Sequence, residues 1–244
     1  HRRAMKFAAP GRHEYEVMAE ILHEFHRHKA DISYHPIVGG GANSCVLHYR
    51  ANSARLEDGD LLLIDAGCEY DYYASDITRT FPINGRFSER QRAIYEVVLE
   101  AQQAAIDKVR PGNHWNEPHE AAVKAVTQGL LRLGLLKGKL PKLIKDEAYK
   151  PFFMHRSGHW LGMDVHDVGE YKVGEDWRLL EPGMVTTIEP GIYIPPGTKI
   201  APRDWWGIGV RIEDDVVVTK GDPEVISGGV PTDPDEIERF MQSA

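Results

Sequence analysis

The sequence predicts an α+β protein made of two pseudo-equivalent α/β halves that face each other. Three observations lead to this reading. Helix-like and strand-like segments alternate in blocks, with no low-complexity stretch or charged tail between them. The segment Glu57-Asp58-Gly59-Asp60-Leu61-Leu62-Leu63-Ile64-Asp65-Ala66-Gly67 aligns without a gap on Glu181-Pro182-Gly183-Met184-Val185-Thr186-Thr187-Ile188-Glu189-Pro190-Gly191, superposing a turn, a strand and a terminal carboxylate. Each copy is preceded by an amphipathic helix and followed by a strand with another acid, Asp76 in the first and Glu213 in the second. Two such hairpins set face to face would gather four acids at their interface.

Taken in order, the elements begin with a helix over 13–28. Pro10-Gly11 precedes it, and Val17, Ile21, Leu22 and Phe25 recur on one face. Within it, His23-Glu24-Phe25-His26-Arg27-His28 lacks the i+4 histidine that a zinc-binding helix needs, so it reads as a solvated face. Gly39-Gly40-Gly41 has neither the lysine nor the hydroxyl of a phosphate loop and is expected to be a backbone turn. Strands follow over 60–66 and 72–81. Ser88 and Gln91 have capping-box spacing, and Ile94, Val97, Val98, Ala101, Ala105 and Val109 continue one helical face until Pro111-Gly112 stops it. Another helix is expected over 116–136, ending near Gly134. Strands over 184–189 and 207–218 complete the series, the last bounded by Lys220-Gly221-Asp222-Pro223.

Composition narrows the function. The 244 residues are 42% hydrophobic, enough for a sizeable core and too apolar for a disordered chain. Lys and Arg total 29 against 37 Asp and Glu, a net charge of -8, so nucleic acid is not an expected partner. Apolar runs such as Leu61 to Ile64 fall far short of the ~20 residues that cross a bilayer, so no membrane association is expected. Cys45 and Cys68 are too few for a disulfide framework, which points to a reducing, cytoplasmic setting. No signal peptide is visible, and the chain opens at His1 without an initiator Met, as expected of a processed product or fragment. There is no G-x-S-x-G elbow for a serine nucleophile, and Cys68 is expected to be structural.

The four acids carry the chemistry. Asp65 ends a strand whose Leu61-Leu62-Leu63-Ile64 run implies burial on both faces, where an ionised carboxylate is costly unless a cation meets it. Asp76 alternates with Thr78 and Thr80, so the three share a face that a hairpin sets beside Asp65. Glu189 and Glu213 repeat the arrangement in the second copy. Arg211, two residues before Glu213, points to the same side, and one arginine cannot balance four acids. Any one of them alone would read as a turn former or ion-pair partner; together on buried, duplicated strands they call for divalent cations. The remaining ligand is expected to be a histidine from the glycine-punctuated stretch that holds His155, His159 and His166.

The runs LLIDAGCEYDYYASDITRTFP from Leu62, FFMHRSGHWLGMDVHDVG from Phe152, TIEPGIY from Thr187 and GIGVRIEDD from Gly207 resemble, in order and over nearly the whole chain, the catalytic domain of aminopeptidase P in metallopeptidase family M24. The resemblance implies the pita-bread fold shared with methionine aminopeptidase, prolidase and creatinase, two pseudo-symmetric α/β halves around a dinuclear metal site. It implies Asp65, Asp76, His159, Glu189 and Glu213 as metal ligands, with Asp76 and Glu213 bridging, and His48, His155 and His166 as accessory histidines around the substrate. It also implies that 1–244 is a single catalytic domain, with the N-terminal domain of relatives absent. One departure is Arg156-Ser157-Gly158, where relatives often carry a glycine directly after the first histidine. That substitution bears on the shape of the substrate pocket.

Four carboxylates and one imidazole suit a hard ion, so two Mn(II) ions are the expected cofactors, with Co(II) or Zn(II) as substitutes. The implied reaction is hydrolysis of the bond between an N-terminal residue and a following proline. Glu189 would move a proton to the proline nitrogen, while His155 and His166 steady the oxyanion and substrate backbone. The expected partners are therefore peptides with proline at the second position; proline offers no N–H, so its ring must be read by shape, with Tyr193, Trp160 or His48 as a wall. A prolidase confined to Xaa-Pro dipeptides would share every ligand and differ in how the far end of the substrate is bounded. A non-catalytic pita-bread binding module would have lost the ligands, and all five are present. The sequence leaves homo-oligomer formation open.

Overall fold

Residues 1–243 are described by the computed structural model. The chain runs through α1 (Arg2–Phe7), α2 (Glu14–Arg27), β1 (Asp31–Ile32), β2 (Ile37–Gly40), a 3-10 turn (Gly41–Cys45), β3 (Leu61–Asp65), β4 (Cys68–Glu69), β5 (Thr78–Pro82), α3 (Glu89–Ile106), α4 (Glu117–Arg132) and α5 (Leu140–Lys145). It continues through β6 (Lys172–Val173), β7 (Asp176–Trp177), β8 (Val185–Ile188), β9 (Gly191–Ile194), β10 (Ile208–Arg211), β11 (Asp214–Val217), β12 (Glu224–Val225) and α6 (Pro234–Gln242).

Both copies of the internal echo start with the same turn. Asp60 N donates to Glu57 O at 3.3 Å, and Met184 N donates to Glu181 O at 3.2 Å. The third residue of each turn is a glycine with positive φ, +86° at Gly59 and +98° at Gly183, a conformation that costs other residues. Each turn feeds the inner strand of a three-stranded antiparallel sheet or its neighbour: β3 lies between β2 and β5, and β8 pairs with β11, which pairs with β12. The register sets Asp65 opposite Thr78 in the first half and Ile188 opposite Asp214 in the second. A bridge between Thr78 and Glu213, with Glu213 N donating to Thr78 O at 3.1 Å, joins the halves where the acids lie.

Helices cover the sheets. In α3, Ile94, Val97, Val98, Ala101 and Ala105 are buried, and the helix packs on α4 and against β8, β9 and β10. All five residues of β3 are buried, and each such aliphatic side chain contributes about 1.5 to 3 kcal/mol of burial. The Ser88 capping box is formed: Gln91 N donates to Ser88 Oγ and Ser88 N donates to Gln91 Oε1. On α2, Glu24 pairs with Arg3, Arg27 and His28 on a polar face, as its sequence suggests. At the start of α2, Glu14 is fully buried and accepts from Gly40 N, Asn43 Nδ2, Tyr49 OH and Ala54 N. These bonds fix the loop that carries His48.

Four elements differ from the sequence expectation. The strand expected over 72–81 is regular only from Thr78, because Tyr70 and Tyr73 exchange both backbone hydrogen bonds around Asp71-Tyr72 in left-handed conformation. The aromatic alternation there belongs to an exposed hairpin tip. The strand expected over 207–218 is two strands: β10 pairs with β9 and β11 with β8, and the chain changes partner at Ile212-Glu213. In the glycine run, Gly39 and Gly40 lie in β2 and only Gly41, at φ +52°, makes the turn. The helix expected over 116–136 ends at Arg132. Among the described residues, no helix is long and apolar enough to cross a membrane.

Candidate metal centre

Strand ends position the acids. Asp65 closes β3, Asp76 lies two residues before β5, Glu189 follows β8, and Glu213 occupies the switch between β10 and β11. The segment 157–159 is held beside β8: Thr187 N donates to His159 O at 3.0 Å and Glu189 N to Ser157 O at 2.9 Å. His159 is thereby delivered to the carboxylates, its Nε2 lying 3.3 Å from Asp76 Oδ2 and 3.8 Å from Glu189 Oε1. Its Nδ1, at 3.0 Å from Trp160 O, is placed to donate there, which points Nε2 at the acids. Ligand atoms of Asp76, His159 and Glu213 all fall within 4.8 Å of one another, close enough to hold a metal ion.

The remaining acids are tied into the same network. Arg211, 3% exposed, reaches Asp65 Oδ2 with Nη2 at 2.5 Å and Tyr193 OH with Nη1 at 3.0 Å. Its position confirms that it shares a side with Glu213. The Tyr34 hydroxyl lies within hydrogen-bond distance of Asp65 and Asp76. Thr78 Oγ1 donates to Glu213 Oε2 at 2.6 Å. Behind Asp76, its backbone N–H donates to Asp215 Oδ2 at 3.2 Å, while Asp215 Oδ1 is buried without a partner.

A cavity of about 530 Å³ opens over this cluster and is lined by all five expected ligands and by His48, His155 and His166. His155 is locked between two bonds: Nδ1 lies 2.6 Å from Arg156 O, and Nε2 lies 2.8 Å from Tyr193 OH. The His166 ring centroid is 4.3 Å from that of His159. Two of the aromatic walls expected for proline are misplaced. Tyr193 is fully buried and links His155 to Arg211, and Trp160 packs on Trp115 with centroids 4.1 Å apart; Trp115, Tyr171 and Trp177 line the cavity instead. Tyr34 and Asp215 were not singled out from the sequence. Asp215 was visible as the second Asp of the acidic run after Ile212, whereas no motif marks Tyr34.

Electrostatics explain what the cluster needs. Burial, then the neighbouring Asp76 and Asp65, raise Glu189 to about 8 against the opposing pull of His159 and Arg211. Burial and the charges of Asp76, Glu189 and Asp65 also hold Glu213 well above the usual carboxylate range. Asp76 is raised by burial, and Asp215, again by burial, to about 7. For His159 burial acts downward, yet the bond to Asp76 and the charge of Glu189 outweigh it and lift the imidazole to about 9. Burial lowers His155 to about 3, so it is neutral at physiological pH. Crowded, desolvated carboxylates of this kind fit hard divalent cations, which would replace the protons they otherwise retain.

A pH dependence follows for the chain stripped of metal. The raised carboxyls of Glu189 and Asp215 stay protonated in the fold after the unfolded chain has released its protons. Their contribution is therefore present at low pH and lost as pH rises from about 4 to 8. The raised His159 acts in the same sense, losing its contribution as pH climbs from 6.5 through about 9. Scanning calorimetry after chelation is expected to give a melting temperature that falls between pH 5 and pH 8, with divalent metal restoring more at pH 8. A rise over that interval would contradict this electrostatic picture.

Residues 1–220 match metallopeptidase family M24. The chain belongs to that family. This M24 chain is 51% identical over 243 residues to a Xaa-Pro aminopeptidase of Haemophilus influenzae, covering 99% of this chain and 56% of that protein. It is likewise 51% identical over 246 residues to the Xaa-Pro aminopeptidase of Escherichia coli K12, covering 100% of this chain and 55% of the relative. The solved structure of aminopeptidase PepP from Pseudomonas aeruginosa superposes with a TM-score of 0.98 at 61% identity, over 99% of this chain and 55% of that one. The M24 chain thus spans about half the length of the curated relatives it matches. Its two facing α/β halves are the pita-bread fold.

Proposed function

We propose that this chain is the catalytic unit of a metal-dependent aminopeptidase that releases an N-terminal residue from a following proline. The observation that carries the reading is the meeting of Asp76, His159 and Glu213 within 4.8 Å, with Glu189 beside the same imidazole, at the floor of a peptide-sized cavity. The likeness to Xaa-Pro aminopeptidases over the full length of this chain supports the choice of substrate. In this proposal Asp65, Asp76, His159, Glu189 and Glu213 would hold two divalent ions, Mn(II) first and Co(II) or Zn(II) as substitutes. Bound metal supplies an activated water and polarises the scissile carbonyl.

The chain's own groups do the rest. Glu189, 3.8 Å from His159 and 3.7 Å from His155, is the carboxylate placed to carry a proton to the proline nitrogen. His155 is neutral and fixed by Arg156 O and Tyr193, so it presents an oriented ring to the substrate backbone. His166 and His48 stand exposed on the cavity lining, where they can hydrogen-bond the peptide as it enters. One hydrophobic cluster runs from Ala4 to Ile237, which supports treating 1–244 as a single catalytic domain. Both cysteines are free, which supports a cytoplasmic setting.

The test compares Ala-Pro-Leu, Ala-Ala-Leu and Ala-Pro on the chelated chain before and after adding Mn(II). Metal-dependent cleavage of Ala-Pro-Leu, with Ala-Ala-Leu refractory, is the expected result. Cleavage of Ala-Pro alone would identify a prolidase, and no cleavage with metal bound would overturn the proposal.

A further inference from the structure

Arg156 lines the cavity next to His155, and its surroundings explain what a guanidinium could do there. The lining holds two arginines, Arg156 and Arg211. Arg211 is buried and committed to Asp65. Arg156 is exposed, and among the described residues no carboxylate forms an ion pair with it. Its hydrogen-bond partner is the neutral Asn116, whose Oδ1 accepts from Nη2, and its guanidinium carbon lies 5.3 Å from the centroid of the Trp177 ring. The nearby Glu120 is engaged by the other end of the same amide, Asn116 Nδ2 donating to Glu120 Oε1 at 2.6 Å. The guanidinium is thus steadied by an amide and an aromatic face while most of its five donors stay free.

A peptide brings two charges into this cavity. Its ammonium end suits the acid cluster, and its carboxylate end would be repelled there and must find a cation elsewhere on the lining. We propose that Arg156 is the specificity-determining residue that receives the C-terminal carboxylate of short Xaa-Pro-Xaa peptides, making them the preferred substrates. The inference rests on the aminopeptidase reading and names its substrate class. A planar fork facing a carboxylate gives a paired, oriented contact that a peptide amide or a longer chain cannot reproduce.

The experiment measures kcat/KM for Ala-Pro-Leu and its C-terminal amide on the Mn(II)-loaded full chain, in the wild type and in Arg156→Met, Arg156→Lys and Lys172→Met. The wild type is expected to favour the free acid by about tenfold, which corresponds to about 1.4 kcal/mol. Arg156→Met should lose that preference through KM, and Arg156→Lys should keep part of it. Lys172→Met removes the other cation against Trp177, 4.7 Å from its ring, and should keep the whole preference. Calorimetric binding of Pro-Leu against its amide should show the same loss in Arg156→Met without any turnover. Equal cleavage of acid and amide by the wild type, or a preference that survives Arg156→Met or disappears in Lys172→Met, would overturn the assignment while leaving the aminopeptidase reading standing. Cleavage of neither peptide would remove both.

Discussion

Glu189→Gln is expected to lower turnover of an Xaa-Pro-Xaa peptide by about 10³-fold, within the range that a positioned acid–base group contributes. The carboxyl follows β8, held by its own backbone bond to Ser157 O at 2.9 Å, and sits 3.8 Å from His159 and 3.7 Å from His155. A carboxylate in this position can accept and return a proton, and a neutral amide of the same shape cannot. Neither the turn at Gly183 nor the β8 pairing depends on the charge, so folding should survive. Steady-state kinetics together with a melting curve separate the two effects. Full turnover by a folded, metal-loaded Glu189→Gln chain would remove Glu189 from the proton path.

Arg79→Met carries the largest expected effect on stability, a loss of about 3 to 5 kcal/mol. Arg79 and Asp214 are an ion pair at 2.7 Å between side chains 0% and 4% exposed. The same guanidinium donates to Glu213 O at 2.6 Å, to Thr78 O at 3.0 Å and to Val230 O at 3.1 Å. Gln102 Nε2 and Ser227 Oγ donate to Asp214, but neither carries a charge to offset it. Removing the arginine strands a buried carboxylate and takes a donor from the carbonyls of Glu213 and Val230 at the seam that joins β5 to the Glu213 switch, while Thr78 O keeps its bond from Glu213 N. With about 2 to 4 °C per kcal/mol for a chain of this size, the melting temperature should drop by roughly 10 °C. The double variant Arg79→Met/Asp214→Leu should recover part of the loss, since it removes the stranded charge. A single variant within a degree or two of wild type would show that the seam does not depend on this pair.

How much of this was legible in the sequence differs between elements for physical reasons. The two turn–strand copies were readable because Gly59 and Gly183 both need positive φ and each is followed by a β-forming run, Leu61 to Ile64 in one and Val185 to Ile188 in the other, that ends at an acid. Asp65 and Glu189 stand at the same offset from those turns, Asp76 and Glu213 lie further along the chain in each copy, and the structure brings all four to one cavity. Arg211 was readable too, because period-two geometry places it on the side of Glu213. The partner switch at Ile212-Glu213 was hidden, since a chain that leaves one strand for another keeps its β-like composition. Tyr34 and Arg79 were hidden for a different reason: their partners lie 31 to 151 residues away in sequence, and local pattern carries no trace of such contacts. The proline walls failed likewise, because Tyr193 and Trp160 share their neighbourhood with the site residues and yet face the core.

The central claim is that the acids and His159 gather in order to hold two cations. Equilibrium dialysis of the chelated chain against Mn(II), followed by metal analysis, measures it directly. Two ions per chain are expected at saturation, with binding weakened by Asp76→Asn or Glu213→Gln, whose ligand atoms lie within 4.8 Å of each other and of His159. A folded chain that retains no manganese, or one whose bound manganese is indifferent to these substitutions, would contradict it.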